Sequence, residues 1–168
     1  MNRNKKLANM AMLVALAMIF SYVESLIPIN FGVPGMKLGV ANLVTVTGLY
    51  FLKTPEVLAV SVLRVLLTGF IFGNGMSIIY SLAGAVVSLL AMALVKKMDG
   101  ISIVGVSITG GVFHNIGQIL VAMVVVENLE LIYYLPVLLV AGTVTGFVIG
   151  IVAGKILPVV KKEAVRTV

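Results

Sequence analysis

The chain has 168 residues, of which 61% are hydrophobic and 11% charged, with a mean hydropathy of +1.20 and a net charge of +6. Soluble domains carry about 45–50% apolar and about 25% charged residues, and a small soluble fold cannot hide so large an apolar excess. These values exclude a disordered chain and argue against an ordinary soluble enzyme domain; the lack of cysteine excludes disulfides and thiolate metal sites.

The surplus must face lipid, so the predicted fold class is an all-α membrane protein, 1–168 forming a single transmembrane domain. Arg3, Lys5 and Lys6 precede the first span, 8–27. Its length suits a bilayer. It has no clear small-residue cleavage site and contains Glu24, so it is expected to be a retained helix and not a signal peptide. A loop over 28–37 follows, with Pro34-Gly35 as a turn. The second span, 38–52, is short and is expected to be tilted, broken or extended into its loops. Lys53-Thr54-Pro55-Glu56 reads as a turn, with Thr54 as N-cap and Pro55 at the first helical position. The third span covers 57–72 and ends at Gly73-Asn74-Gly75. The fourth covers 76–95; the fifth, 101–126, is interrupted by Gly110-Gly111. The sixth covers 131–157 and leads to a basic tail.

Six spans place both termini on one side. Arg3, Lys5, Lys6, Lys53, Lys96, Lys97, Lys155, Lys161, Lys162 and Arg166 all fall there, and Lys37 alone among the cations outside the spans falls opposite. The positive-inside rule makes that side cytoplasmic. The expected location is the plasma (inner) membrane of a prokaryotic cell, multi-pass. Most of the positive charge lies at the ends and in short loops, which gives no reason to expect a nucleic-acid partner.

Helices in lipid associate through close backbone approach. Gly142, Gly146, Gly150 and Gly154 form a smooth stripe on the sixth span, and Gly84 with Ser88 a shorter one on the fourth. Packing inside the protein is the expected use of both. Ala8, Ala11 and Ala15 on the first span are candidates for docking a partner subunit.

Arg64 lies near the middle of the third span, where a charge costs roughly 2.5–3.5 kcal/mol on insertion scales. It needs a partner or water. One reading is a buried pair with Glu24. The other sets Arg64 at the floor of a wet pocket, since a guanidinium fork matches carboxylate or phosphate. His114 and Gln118 are four apart on one face of the fifth span, with Asn115 beside them. Lys37 and Asn42 belong to a Pro- and Gly-containing break of the kind transporters use to offer backbone donors. Arg64, His114, Asn115, Gln118, Lys37, Asn42 and Glu24 are therefore the candidate substrate-binding residues. Asn74, Ser77, Tyr80 and Ser81 are candidates to line the same pocket, and Tyr133 and Tyr134 read as an interfacial belt. One histidine without clustered carboxylates makes no metal site, and no cofactor is expected.

PGMKLGVAN at 34–42, RVLLTGFIFG at 64–73, YSLAGAVVS at 80–88 and GGVFHNIGQ at 110–118 together resemble the heptaprenyl diphosphate synthase component I family, also called the Gx transporter family. The resemblance covers nearly the whole chain. The synthase name implies at most an accessory subunit working with a soluble prenyl synthase, because aspartate-rich motifs that hold magnesium and diphosphate are missing and Asp99 is the single aspartate. The six-span plan is similar to the S component of energy-coupling-factor (ECF) vitamin transporters. That resemblance implies capture of a small, anionic solute from the outer face, such as a vitamin, flavin or quinone or isoprenoid precursor. It also implies docking of a coupling subunit on the AxxxA pattern Ala11–Ala15, with partner ATPases. No P-loop is present to supply ATP hydrolysis in this chain. A non-catalytic accessory subunit of a polyprenyl diphosphate synthase, or of a membrane redox assembly, is the alternative.

Overall fold

Apolar side chains recur so densely here that helix is the one way for each segment to satisfy its backbone in lipid. The computed structural model describes residues 3–26, 37 and 39–166, with backbone alone at 3 and 161–166. Helices α1 (Arg3–Ser25), α2 (Asn42–Leu49), α3 (Thr54–Phe72), α4 (Gly75–Val95), α5 (Ile103–Val125) and α6 (Leu135–Arg166) form in chain order, with a 3-10 segment at Leu129–Tyr134 before α6. No strand forms among the described residues. Five stretches are long and apolar enough to cross a membrane: Asn4–Ser25, Thr54–Phe72, Gly75–Val95, Ile103–Val125 and Leu129–Val160.

The second span differs from expectation. Its helix has 8 residues, about 12 Å at 1.5 Å per residue, and cannot by itself cross a hydrocarbon core of about 30 Å. Thr47 bends its hydroxyl back to the Leu43 carbonyl at 2.7 Å. Every residue of α2 is buried, and α2 touches each of the other five helices. It is the pivot of the bundle, not a lipid-facing rod. The expected start at Leu38 and the Pro34-Gly35 turn lie outside the described residues.

Two charged contacts fix the directions of the helices. The Lys6–Glu56 ion pair sets the first turns of α1 and α3 side by side, and Arg64 of α3 reaches Ser21 further along α1. These two helices therefore run parallel, and the chain must return between them through α2. Lys96, the C-cap of α4, donates to the Leu49 carbonyl at the end of α2 and lies 4.8 Å from the Tyr50 ring centre. The end of α2, the end of α4 and the starts of α1 and α3 thus share one end of the bundle.

The glycine stripe packs as expected for three of its four members. A Cβ on Gly146 would lie 2.6 Å from Ile108 Cα and 2.7 Å from Ser107 O; one on Gly150 would lie 2.7 Å from Val104 Cα; one on Gly142 would lie 2.6 Å from Gly111 O. Backbone meets backbone along the whole α5–α6 seam. Gly154 faces open space. The start of α3 is shifted by one residue from expectation: Lys53 is the N-cap and Thr54 already helical, with the Lys53 N–H donating to Glu56 Oε2 at 3.2 Å. Asn74 caps α4 as a reciprocal pair with Ser77, at 2.8 and 3.0 Å.

Candidate functional site

Gly39 is the meeting point. It precedes α2 with φ +84°, a backbone conformation open to glycine and costly for other residues. Its N–H donates to Glu24 Oε1 of α1 at 2.6 Å. On its other side a Cβ would lie 2.9 Å from His114 Cδ2, 3.2 Å from His114 Nε2 and 3.1 Å from Asn42 Nδ2. The lack of a side chain therefore lets this turn rest directly on the imidazole. Gly84 of α4 meets the other edge of the ring: a Cβ there would lie 2.8 Å from His114 Nδ1 and 2.9 Å from Cε1. The histidine is held between two glycines, one in the break and one in a neighbouring helix.

Arg64 projects from α3 toward the same region. Its Nη1 donates to Ser21 Oγ at 3.2 Å, and its Nη2 is buried without a partner. The expected pairing with Glu24 is not a direct ion pair; among the described residues the ion pair formed is Lys6–Glu56. Arg64 does lie within electrostatic reach of Glu24, Lys37 and His114. Lys37 is half-buried in the segment before α2. Burial pushes its ammonium below the ordinary lysine range, Glu24 opposes that, and Arg64 adds to it.

The amides complete the cluster. Asn42 opens α2, and neither end of its side-chain amide has a partner. Gln118 has no exposed surface, and neither its Nε2 nor its Oε1 is bonded. Asn115 turns the other way: its Nδ2 donates to the Leu138 carbonyl of α6 at 2.7 Å, and its Oδ1 is unpaired. The structure thus gathers Glu24, Lys37, Asn42, Arg64 and His114 around Gly39, keeps Gln118 one turn from His114, and ties Asn115 into the α5–α6 seam. Native interiors pair the large majority of buried polar atoms, so this concentration of unpaired ones marks the spot.

Ser21, Ser61 and Thr45 were missed as neighbours. Ser21 lies three residues before Glu24 and Ser61 three before Arg64, the spacing that puts residues on one helix face. Thr45 Oγ1 and Ser61 Oγ are 3.3 Å apart. Of the further lining candidates, Asn74 and Ser77 are occupied with capping α4, while Tyr80 and Ser81 are buried. Ala8, Ala11 and Ala15 are exposed on α1. Ala11 and Ala15 line an apolar groove of about 400 Å³ with Met10, Val14, Ala59 and Leu63, among others.

A family model described as heptaprenyl diphosphate synthase component I matches residues 13–156. The chain belongs to that family. No curated protein and no solved structure matches it. In this member of the heptaprenyl diphosphate synthase component I family, the matched stretch contains every residue of the Gly39 cluster and both faces of α5.

Proposed function

We propose that this chain binds a small, anionic solute within the membrane, in the manner of the S component of an ECF-type transporter, and is not itself a catalyst. The reading rests on one observation: five buried side chains from three helices, Asn42, Arg64, His114, Asn115 and Gln118, keep polar atoms that the protein does not pair. Buried polar groups left this way are costly, and a solute that pairs them removes the cost. Arg64 and Lys37 outweigh Glu24 in charge, which favours an anion.

The chain makes six passes in this reading, the second a broken one that includes α2. Both termini are then cytoplasmic, with the Lys96 end of the bundle facing the cytoplasm and the Glu24 end opening outward. A half-helix ending at a polar site is how many transporters present donors at membrane depth. The whole chain serves as one transmembrane domain of a prokaryotic plasma membrane. Ala8, Ala11 and Ala15 are the proposed contact for a coupling subunit, whose ATPases would supply the energy.

The family name favours a second reading, an accessory membrane subunit of a soluble polyprenyl diphosphate synthase. One aspartate, Asp99, cannot supply the paired carboxylates that hold magnesium and diphosphate, so the chemistry would belong to the partner.

Native mass spectrometry of the full chain, purified from its own membranes, tests the first reading. Wild-type protein is expected to retain one non-lipid small molecule that Arg64→Met has lost. A bare wild-type chain, or an equal adduct on the variant, contradicts it. Copurification separates the partners: an ATPase with its membrane coupling subunit supports transport, and a soluble prenyl synthase supports the second reading.

A further inference from the structure

The unpaired atoms of the cluster are of both kinds. The donors are Asn42 Nδ2, Arg64 Nη2 and Gln118 Nε2; the acceptors are Asn42 Oδ1 and Gln118 Oε1, and His114 Nδ1 is one or the other according to its tautomer. Exchanging oxygen and nitrogen in Asn42 or Gln118 leaves that balance unchanged, because both atoms of each amide are unpaired. Asn115, whose Nδ2 is bonded to the Leu138 carbonyl of α6, stands outside that count.

A carboxylate, phosphate or diphosphate only accepts hydrogen bonds. Such a group answers Arg64, and it leaves the two carbonyl oxygens facing a negative charge. A hydrocarbon tail attached to it adds no donor. The cluster calls for a partner that gives as well as takes.

We infer that the solute is an acid carrying its own N–H donors beside carbonyls: a lactam or imide heterocycle with an anionic substituent. A lactam edge sets C=O and N–H side by side, the complement of a primary amide, so the pair closes with two parallel hydrogen bonds. Asn42 and the edge of His114 meet at Gly39, and Gln118 follows His114 by one turn on the same face of α5. The ring edge belongs against these amides. The anionic substituent belongs at Arg64, which lies within electrostatic reach of Lys37 and His114. This inference rests on the solute-binding reading and narrows its ligand class.

Titration calorimetry on the full chain in detergent, with three probes, tests it. Orotate carries an imide and a carboxylate, uracil the imide alone, inorganic pyrophosphate the anion alone. Orotate is expected to bind at least about tenfold more tightly than either of the others, the worth of one or two further hydrogen bonds. Asn42→Leu is expected to weaken orotate about tenfold and to leave pyrophosphate within about twofold. Arg64→Met weakens both. Asn42→Ala, which removes the donor and acceptor without adding charge or bulk, serves if Asn42→Leu fails to fold. Pyrophosphate binding as tightly as orotate overturns the inference, as does no orotate binding at about 1 mM. A retained native adduct with no orotate binding removes this inference alone. Neither adduct nor binding removes the solute-binding reading too and leaves the cluster to water.

Discussion

Helix α5 has two working faces, and they use glycine for opposite ends. On the α6 side, Gly111, Gly142, Gly146 and Gly150 let backbone lie on backbone, and the Asn115 amide adds a hydrogen bond to the Leu138 carbonyl across the seam. On the other side Gly117 also meets backbone, at Ala83 O and Gly84 Cα, but Gly39 and Gly84 lie in addition against a side chain, the His114 ring, and polar atoms of Asn42, Arg64, His114 and Gln118 are left over. The first arrangement is how helices adhere in lipid, where dispersion and close approach replace the hydrophobic effect. The second leaves buried polar groups without partners, which is what the proposed solute would answer. Neither the presence of glycine nor its spacing separates the two; the groups opposite do.

Substitutions at these glycines sharpen the contrast. Gly146→Leu forces a side chain into Ile108 Cα and Ser107 O and is expected to cost about 3 kcal/mol, the upper part of the usual overpacking range. A detergent melting curve should show a marked drop or no folded protein. Gly39→Ala places a Cβ at φ +84° beside His114. The backbone cost is about 1–2 kcal/mol, so the melting temperature should fall less than in Gly146→Leu. Loss of the retained small molecule should be larger than that fall suggests. An unchanged adduct on a folded Gly39→Ala protein would place the site elsewhere.

Lys96→Met is the next smaller case. It removes the contact to the Leu49 carbonyl and the cation above Tyr50, worth about 1 kcal/mol together. A modest loss of thermal stability with the adduct retained is expected, since this end of α2 is remote from Asn42. The smallest effect concerns pH. Burial favours neutral Lys37 and depresses its pKa below the ordinary 10.5, whereas an anion needs the charged form. Orotate binding should therefore weaken on raising pH before an ordinary lysine would titrate, and Lys37→Met should flatten that profile.

Much of the fold was legible because apolar run length and terminating chemistry act locally. The stop at Gly73-Asn74-Gly75 follows from turn chemistry, and the glycines at four-residue spacing marked α6 for close packing without saying against which helix. The second span was less legible. The residues 38–52 are apolar enough to read as a short span, yet α2 is buried by all five neighbours, a tertiary fact that no window of sequence contains. At the site, Arg64 stood out by being costly in lipid, His114 by the two amides beside it, and Asn42 by its place in the break before the second helix. The direction of Asn115 did not, because whether it meets α4 or α6 depends on the rotation of α5. Likewise the sequence suggested Glu24 as a partner for Arg64, but Glu24 receives the Gly39 N–H and Arg64 leans on Ser21.

The account turns on whether the polar cluster communicates with water on the side away from Lys96. The chain has no cysteine, so single introduced thiols can be read without background. In intact cells, a membrane-impermeant thiosulfonate added outside is expected to label Asn42→Cys, with added orotate slowing the reaction. Ile119→Cys, fully buried in an apolar cluster on α5, should stay unlabelled. Labelling of Asn42→Cys only from the cytoplasmic face, or not at all under conditions that label an exposed loop control, would contradict the account.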